Sequence, residues 1–149
     1  MPFRIREDAR TWFQDLRKNS FQTDFDSFYF CFTAGIASRQ KSDAPSNVTA
    51  ELVDYFPDRY KERGKLLVAL FLRREIESMG VSTDEKEAVH SVISKLVRPE
   101  SPNYLSDEGL REFNRYANGG FDVLLDWFDD RPRTLATFVR QFKAKVDAV

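Results

Sequence analysis

Residues 24–39 read DFDSFYFCFTAGIASR, and this stretch decides the fold. Phe25, Phe28, Phe32 and Ile36 step by three, four and four, the interval that brings side chains to one face of a helix. Tyr29, Phe30, Cys31 and Ala37 cover most of the remaining faces. A helix that is apolar nearly all round has no side to give to solvent, so it is expected at the centre of the molecule. Its greasiest run, Phe28 to Ala37, is far shorter than the roughly 20 residues of a membrane span, so no membrane association is expected.

The flanking segments are helical in composition, rich in Leu, Ala, Arg, Lys and Glu and without strictly alternating Val/Ile/Thr runs. Before the central helix, Glu7 to Lys18 places Trp12, Phe13 and Leu16 on one side, with Phe3 and Ile5 as an arm. After it come the polar loop QKSDAPSN (40–47) and a short helix or helical turn from Val48 to Phe56, stopped by Pro57. Asp58 to Ser78 reads as a long helix with the core stripe Leu67, Leu70, Phe71 and Ile76, ended by Gly80. Ser82 and Glu85 have the spacing of a capping box before Ala88, Val89, Val92, Ile93 and Leu96. Beyond Pro99 and Pro102, Ser106 is the next N-cap, with Asp107 and Glu108 in the first turn of a helix reaching Asn118. Gly119-Gly120 reads as a cap and hinge, after which Phe121 to Phe128 starts again. Leu135 to Val146 closes the chain with Leu135, Phe138, Val139 and Phe142 inward. No segment repeats and no linker divides the chain. The expectation is all-α: residues 1–149 as a single helical domain, a bundle of about six or seven helices around the aromatic helix.

Composition narrows the function classes. The chain has 23 Lys+Arg against 24 Asp+Glu, a net charge of −1, so it is neither a polycation nor an acidic tail. Any nucleic-acid contact must come from a local patch. One cysteine and one histidine exclude an internal disulfide and a Cys/His zinc site. The N-terminus MPFRIREDARTWF carries charge from Arg4 and lacks an apolar h-region, so a cytoplasmic location is expected.

Single residues offer little chemistry. His90 stands without a partner motif and reads as an ordinary imidazole. Cys31, between Phe30 and Phe32, reads as core filling, because a reactive thiol needs an electropositive, open setting. Pro57-Asp58 with Asp84-Glu85-Lys86 satisfies the letters of a PD…(D/E)xK nuclease, but both halves fall at helix starts and Glu85 already has a capping role. Neither a P-loop nor a dinucleotide fingerprint is present.

Charge placement says more. From Arg59 to Arg74 six basic residues face one acidic residue, a net of +5; Arg131 to Asp147 carries +4 and Ser106 to Asp130 carries −5. Two outcomes are open: opposite patches that pair within the fold, or a phosphate-contacting face. The candidate DNA-facing residues are Arg39, Lys41, Arg59, Lys61, Arg63 and Lys65. The C-terminal basic stretch has the neighbouring acidic segment as an internal partner, and the Arg59 cluster has none nearby in sequence.

The aromatic helix ending in a basic run (FYFCFTAGIASRQK), Tyr55-Phe56-Pro57, and the segment LSDEGLREFNRYANGGFDVLLDWF together resemble small all-α proteins of bacterial DNA phosphorothioation systems, of the DndE-like and SspB-like kinds. The first segment is similar to the compact DNA-binding DndE type; the size and helical content are similar to the SspB type, a nicking component. The resemblance implies a DNA-acting component of a modification or phage-defence system that binds DNA and in one version nicks it. It supplies no catalytic residue for this chain. A divalent metal such as Mg would be required only for nicking, and other proteins of a modification complex would be partners, with a homo-oligomer left open. The alternative is a non-catalytic helical adaptor that assembles larger enzymes through apolar and acidic surface, anchored by aromatics such as Trp127 or Phe128.

Overall fold

A computed structural model describes all 149 residues. Its regular structure is seven α-helices and one two-stranded sheet, 65% helix in all. The elements are β1 (Arg4–Arg6), α1 (Glu7–Trp12), α2 (Gln14–Asn19), α3 (Asp24–Ser38), β2 (Thr49–Glu51), α4 (Lys61–Ser78), α5 (Lys86–Leu96), α6 (Asp107–Trp127) and α7 (Leu135–Ala148). Short 3₁₀ turns at Ser46–Val48 and Asp58–Tyr60 precede β2 and α4. The all-α expectation holds, and Phe28 and Phe32 of the aromatic helix are each 1% exposed.

The contacts divide the chain into two compact units, Met1–Phe3 with Val53–Phe113, and Arg4–Leu52 with Asn114–Val149. In the first, Phe3 packs on Phe56 and Phe113, with ring centroids 5.2 and 5.7 Å apart, and Phe71 of α4 packs on Phe113 at 5.3 Å. Leu67, Val68, Ile76, Val92, Leu96 and Leu105 fill the space around them. Gly80, at φ +70°, ends the helical stretch as its sequence position suggests. Ser106 caps α6: its hydroxyl accepts from the Gly109 amide at 3.0 Å and donates to the Lys95 carbonyl at 2.7 Å.

In the second unit, α3 is buried along Phe25, Phe28, Cys31, Phe32 and Ile36. Its start is held by Asp26, whose carboxylate accepts from the Gln22 and Thr23 amides at 2.9 and 3.3 Å. Phe13, Phe30, Phe128 and Phe142 surround Phe138 of α7 with centroid separations of 4.9–5.7 Å. β1 pairs antiparallel with β2 in the register Arg4↔Glu51, Ile5↔Ala50 and Arg6↔Thr49.

Several local expectations are corrected. Gly119-Gly120 does not break the chain; α6 runs through both. The glycines admit a close approach: a Cβ at Gly120 would overlap the Cys31 carbonyl, and one at Gly35 would overlap the Tyr116 carbonyl. Backbone meets backbone where α3 and α6 touch, so only hydrogen fits. The region after Val48 is extended as β2, because it finds a partner strand in the N-terminal arm. The first helix divides at Phe13, whose ring is fully buried, so tertiary packing overrides the local period there. Leu70 and Val139 are exposed rather than inward, while Val68 takes a core place on α4. The Ser82–Glu85 box is half formed. Glu85 accepts from the Ser82 amide at 3.4 Å, but the Ser82 hydroxyl takes the Asp84 amide and α5 begins at Lys86.

Candidate nucleic-acid interface

The basic cluster at the start of α4 is built from a proline stop and a buried anchor. Pro57 directly precedes the 3₁₀ turn Asp58–Tyr60, which leads into the helix. Tyr60 is buried, which fixes the turn and leaves Arg59 and Lys61 exposed on either side of it. Gly64, Leu67, Val68 and Phe71 point into the core. At about 100° per residue, Arg59 and Arg63 then share one flank and Lys61 and Lys65 the other.

Lys61, Arg63 and Lys65 have weak local company. Lys61 meets Asp58 at 3.1 Å, but the two side chains are 69% and 93% exposed, so solvent screens the pair to little value. The Arg63 guanidinium lies 5.7 Å from the Tyr60 ring centre and the Lys65 ammonium 5.7 Å from that of Tyr104, near the outer limit of a cation–π contact. Basic side chains at a helix N-terminus also add to the positive end of the helix dipole. The result is a concentration of positive potential at the start of an 18-residue helix, whose first amide, that of Lys61, already donates to the Asp58 carbonyl.

Arg39 and Lys41 belong to the other compact unit. Arg39 is the left-handed C-cap of α3, at φ 54°, and is exposed. Lys41 is half-buried, its ammonium 5.4 Å from the Tyr116 ring centre, in a cleft that Asp122 and Asp126 also line. Its surroundings are thus partly anionic. The C-terminal basic stretch finds partners from unexpected places: Arg131 and Arg133 reach Asp15 of α2 at 3.9 and 4.0 Å, and Lys143 pairs with Asp147 at 2.5 Å.

The residues of the nuclease letter pattern do not gather. No three His, Cys, Asp or Glu side chains converge as a set that could hold a metal ion. His90 is exposed on α5. Cys31 is fully buried, and burial pushes its thiol well above the ordinary cysteine range. Phe128 is buried against Trp12 and Phe138, so it is not available as an adaptor anchor, and Trp127 is half-buried beside Phe142. The apolar side chains that do face solvent are others, Leu66, Leu70 and Leu125 among them. Sequence reasoning also missed Glu75, which is 1% exposed on α4 and accepts a 3.3 Å contact from the Ser78 hydroxyl. An open cleft of about 540 Å³, lined by Trp127, Arg131, Arg133 and Thr134 among others, was likewise not foreseen. No helix is long and apolar enough to cross a membrane. Comparison with protein families, curated proteins and solved structures finds no match to this chain.

Proposed function

We propose that this chain is a DNA-acting component of a bacterial DNA phosphorothioation modification or defence system, holding the phosphate backbone through the start of α4. The supporting observation is the exposed set Arg59, Lys61, Arg63 and Lys65, placed around a helix N-terminus with Asp58 and Glu62 as its acidic neighbours. Phosphate oxygens are the ligands such a site favours, because helix dipole and side-chain charge act in the same sense. Cations spread over two flanks of one helix suit backbone contact rather than reading of base edges, so little sequence preference is expected. The activity assigned is binding; cutting is not assigned to any residue.

The test is fluorescence anisotropy of a labelled duplex across a salt series. Four phosphate contacts give a log–log slope of affinity against salt of about −3.6. The double variant Arg59→Glu/Arg63→Glu should lose most DNA retention at low salt while keeping its helical circular-dichroism signal. Wild type that shows no binding at any salt, or a double variant that binds equally well, overturns the proposal.

A further inference from the structure

The exposed side of α4 carries more than charge. Arg59, Arg63, Leu66, Leu70 and Arg73 follow one another at steps of four, three, four and three, the interval of a seam between two helices. They lie away from the buried Gly64, Leu67, Val68 and Phe71, and the two leucines are 58% and 41% exposed. A phosphate backbone has no use for paired exposed leucines, so this face is not explained by the DNA contact alone.

A second stripe of opposite sign ends α6. Asp122, Leu125 and Asp126 share its outer face, with Asp129 and Asp130 just beyond the helix, and Leu125 is 45% exposed. Asp122 pairs with Arg6 at 2.7 Å; no ion pair engages Asp126, Asp129 or Asp130. One stripe is leucine preceded by Arg59 and Arg63, with Arg73 beyond it paired to Glu77 at 3.3 Å; the other is leucine flanked by aspartate.

We infer that the chain self-associates head to tail, with the α4 stripe of one copy seated on the α6 stripe of a second copy. The occupant follows from charge. A pairing of two α4 stripes would leave Asp126, Asp129 and Asp130 without a cation, and a pairing of two α6 stripes would set aspartate against aspartate, whereas the mixed pairing brings Arg63 and these aspartates together over the leucines. A single helix-on-helix contact is smaller than the roughly 800 Å² per partner of a stable complex, so association is weak and rises with concentration. This inference stands on the two stripes and not on the DNA reading.

Sedimentation velocity over a concentration series tests it. At low salt the average mass should climb above that of the monomer with concentration, and it should fall back at high salt. Arg63→Glu and Asp126→Lys should each remain monomeric. Mixed together they should form a one-to-one complex that grows no further, because each copy keeps one intact stripe. Leu66→Ser/Leu70→Ser, which leaves every charge in place, should also stay monomeric, and serves if Arg63→Glu fails to fold. Asp126→Lys leaves Arg59, Lys61, Arg63 and Lys65 in place, so loss of assembly with DNA binding retained separates the two proposals. Wild type that stays monomeric at every concentration, variants that assemble as well as wild type, or a mixture that does not pair would each overturn the inference.

Discussion

Gly120 and Gly80 are both glycines for physical reasons, and the reasons differ. Gly120 lies where α6 meets α3, and a methyl group there would collide with the Cys31 carbonyl and sit 2.7 Å from the Gly35 nitrogen. The colliding atoms are backbone, so two helices would have to move apart. Gly120→Ala should cost about 3 kcal/mol or more. Gly80 has open space around it and only the left-handed φ of +70° to satisfy, so Gly80→Ala should cost about 1 kcal/mol. Urea midpoints of the two variants check the order, and an equal or reversed pair would show that the helices are not in backbone contact at Gly120. The sequence could not separate these cases. A glycine is compatible with a break, a cap or a crossing, and the distinction at Gly120 depends on a carbonyl in another helix.

Helix ends were more legible than strand segments. Ser106 before Asp107 and Glu108 announces a helix start, and the cap forms at that position because the donor it serves is only three residues away. Ser106→Ala removes the acceptor for the Gly109 amide and the donor to the Lys95 carbonyl, and should cost about 1–2 kcal/mol. Ser106→Thr should recover most of it, as followed by thermal or chemical denaturation; an alanine variant as stable as wild type would deny the cap. By contrast, β1 and β2 are three residues each, too short for an alternating pattern to register, and each is a strand only because the other lies beside it. The division at Phe13 has the same origin, since its ring is drawn into the cluster around Phe138. The exposed position of Leu70 is a further case: on a helix with apolar residues on several sides, composition does not say which side meets the core.

For the molecule as a whole, the buried Cys31 thiol links stability to alkaline pH. Burial raises its pKa in the folded state, so the folded chain keeps the proton. An unfolded cysteine loses it near pH ~8.5. Above that pH the unfolded state binds fewer protons than the folded state, and stability falls with pH, by up to about 1.4 kcal/mol per unit. The full contribution is present below the unfolded pKa and is lost as pH rises. The stability difference between wild type and Cys31→Ala should therefore narrow by about 2 kcal/mol between pH 7.5 and 10. A difference that stays constant over that range would place the thiol in contact with solvent.

The helical class, the buried aromatic helix and the capped start of α6 were written in the chain itself. Residue spacing and local capping act over one or two turns, and any fold the chain adopts must respect them. The basic start of α4 was equally plain as a charge count, since solvated arginines and lysines need no partner to be exposed. Which leucines stay in water, which acids meet Arg131 and Arg133, why α6 continues through Gly119-Gly120, and that Lys41 shares a cleft with Asp122 and Asp126 all depend on groups distant in sequence. Packing contacts fall off within a few ångströms and surface charges are screened beyond about 8–10 Å, so such choices exist only once the fold has brought those groups together.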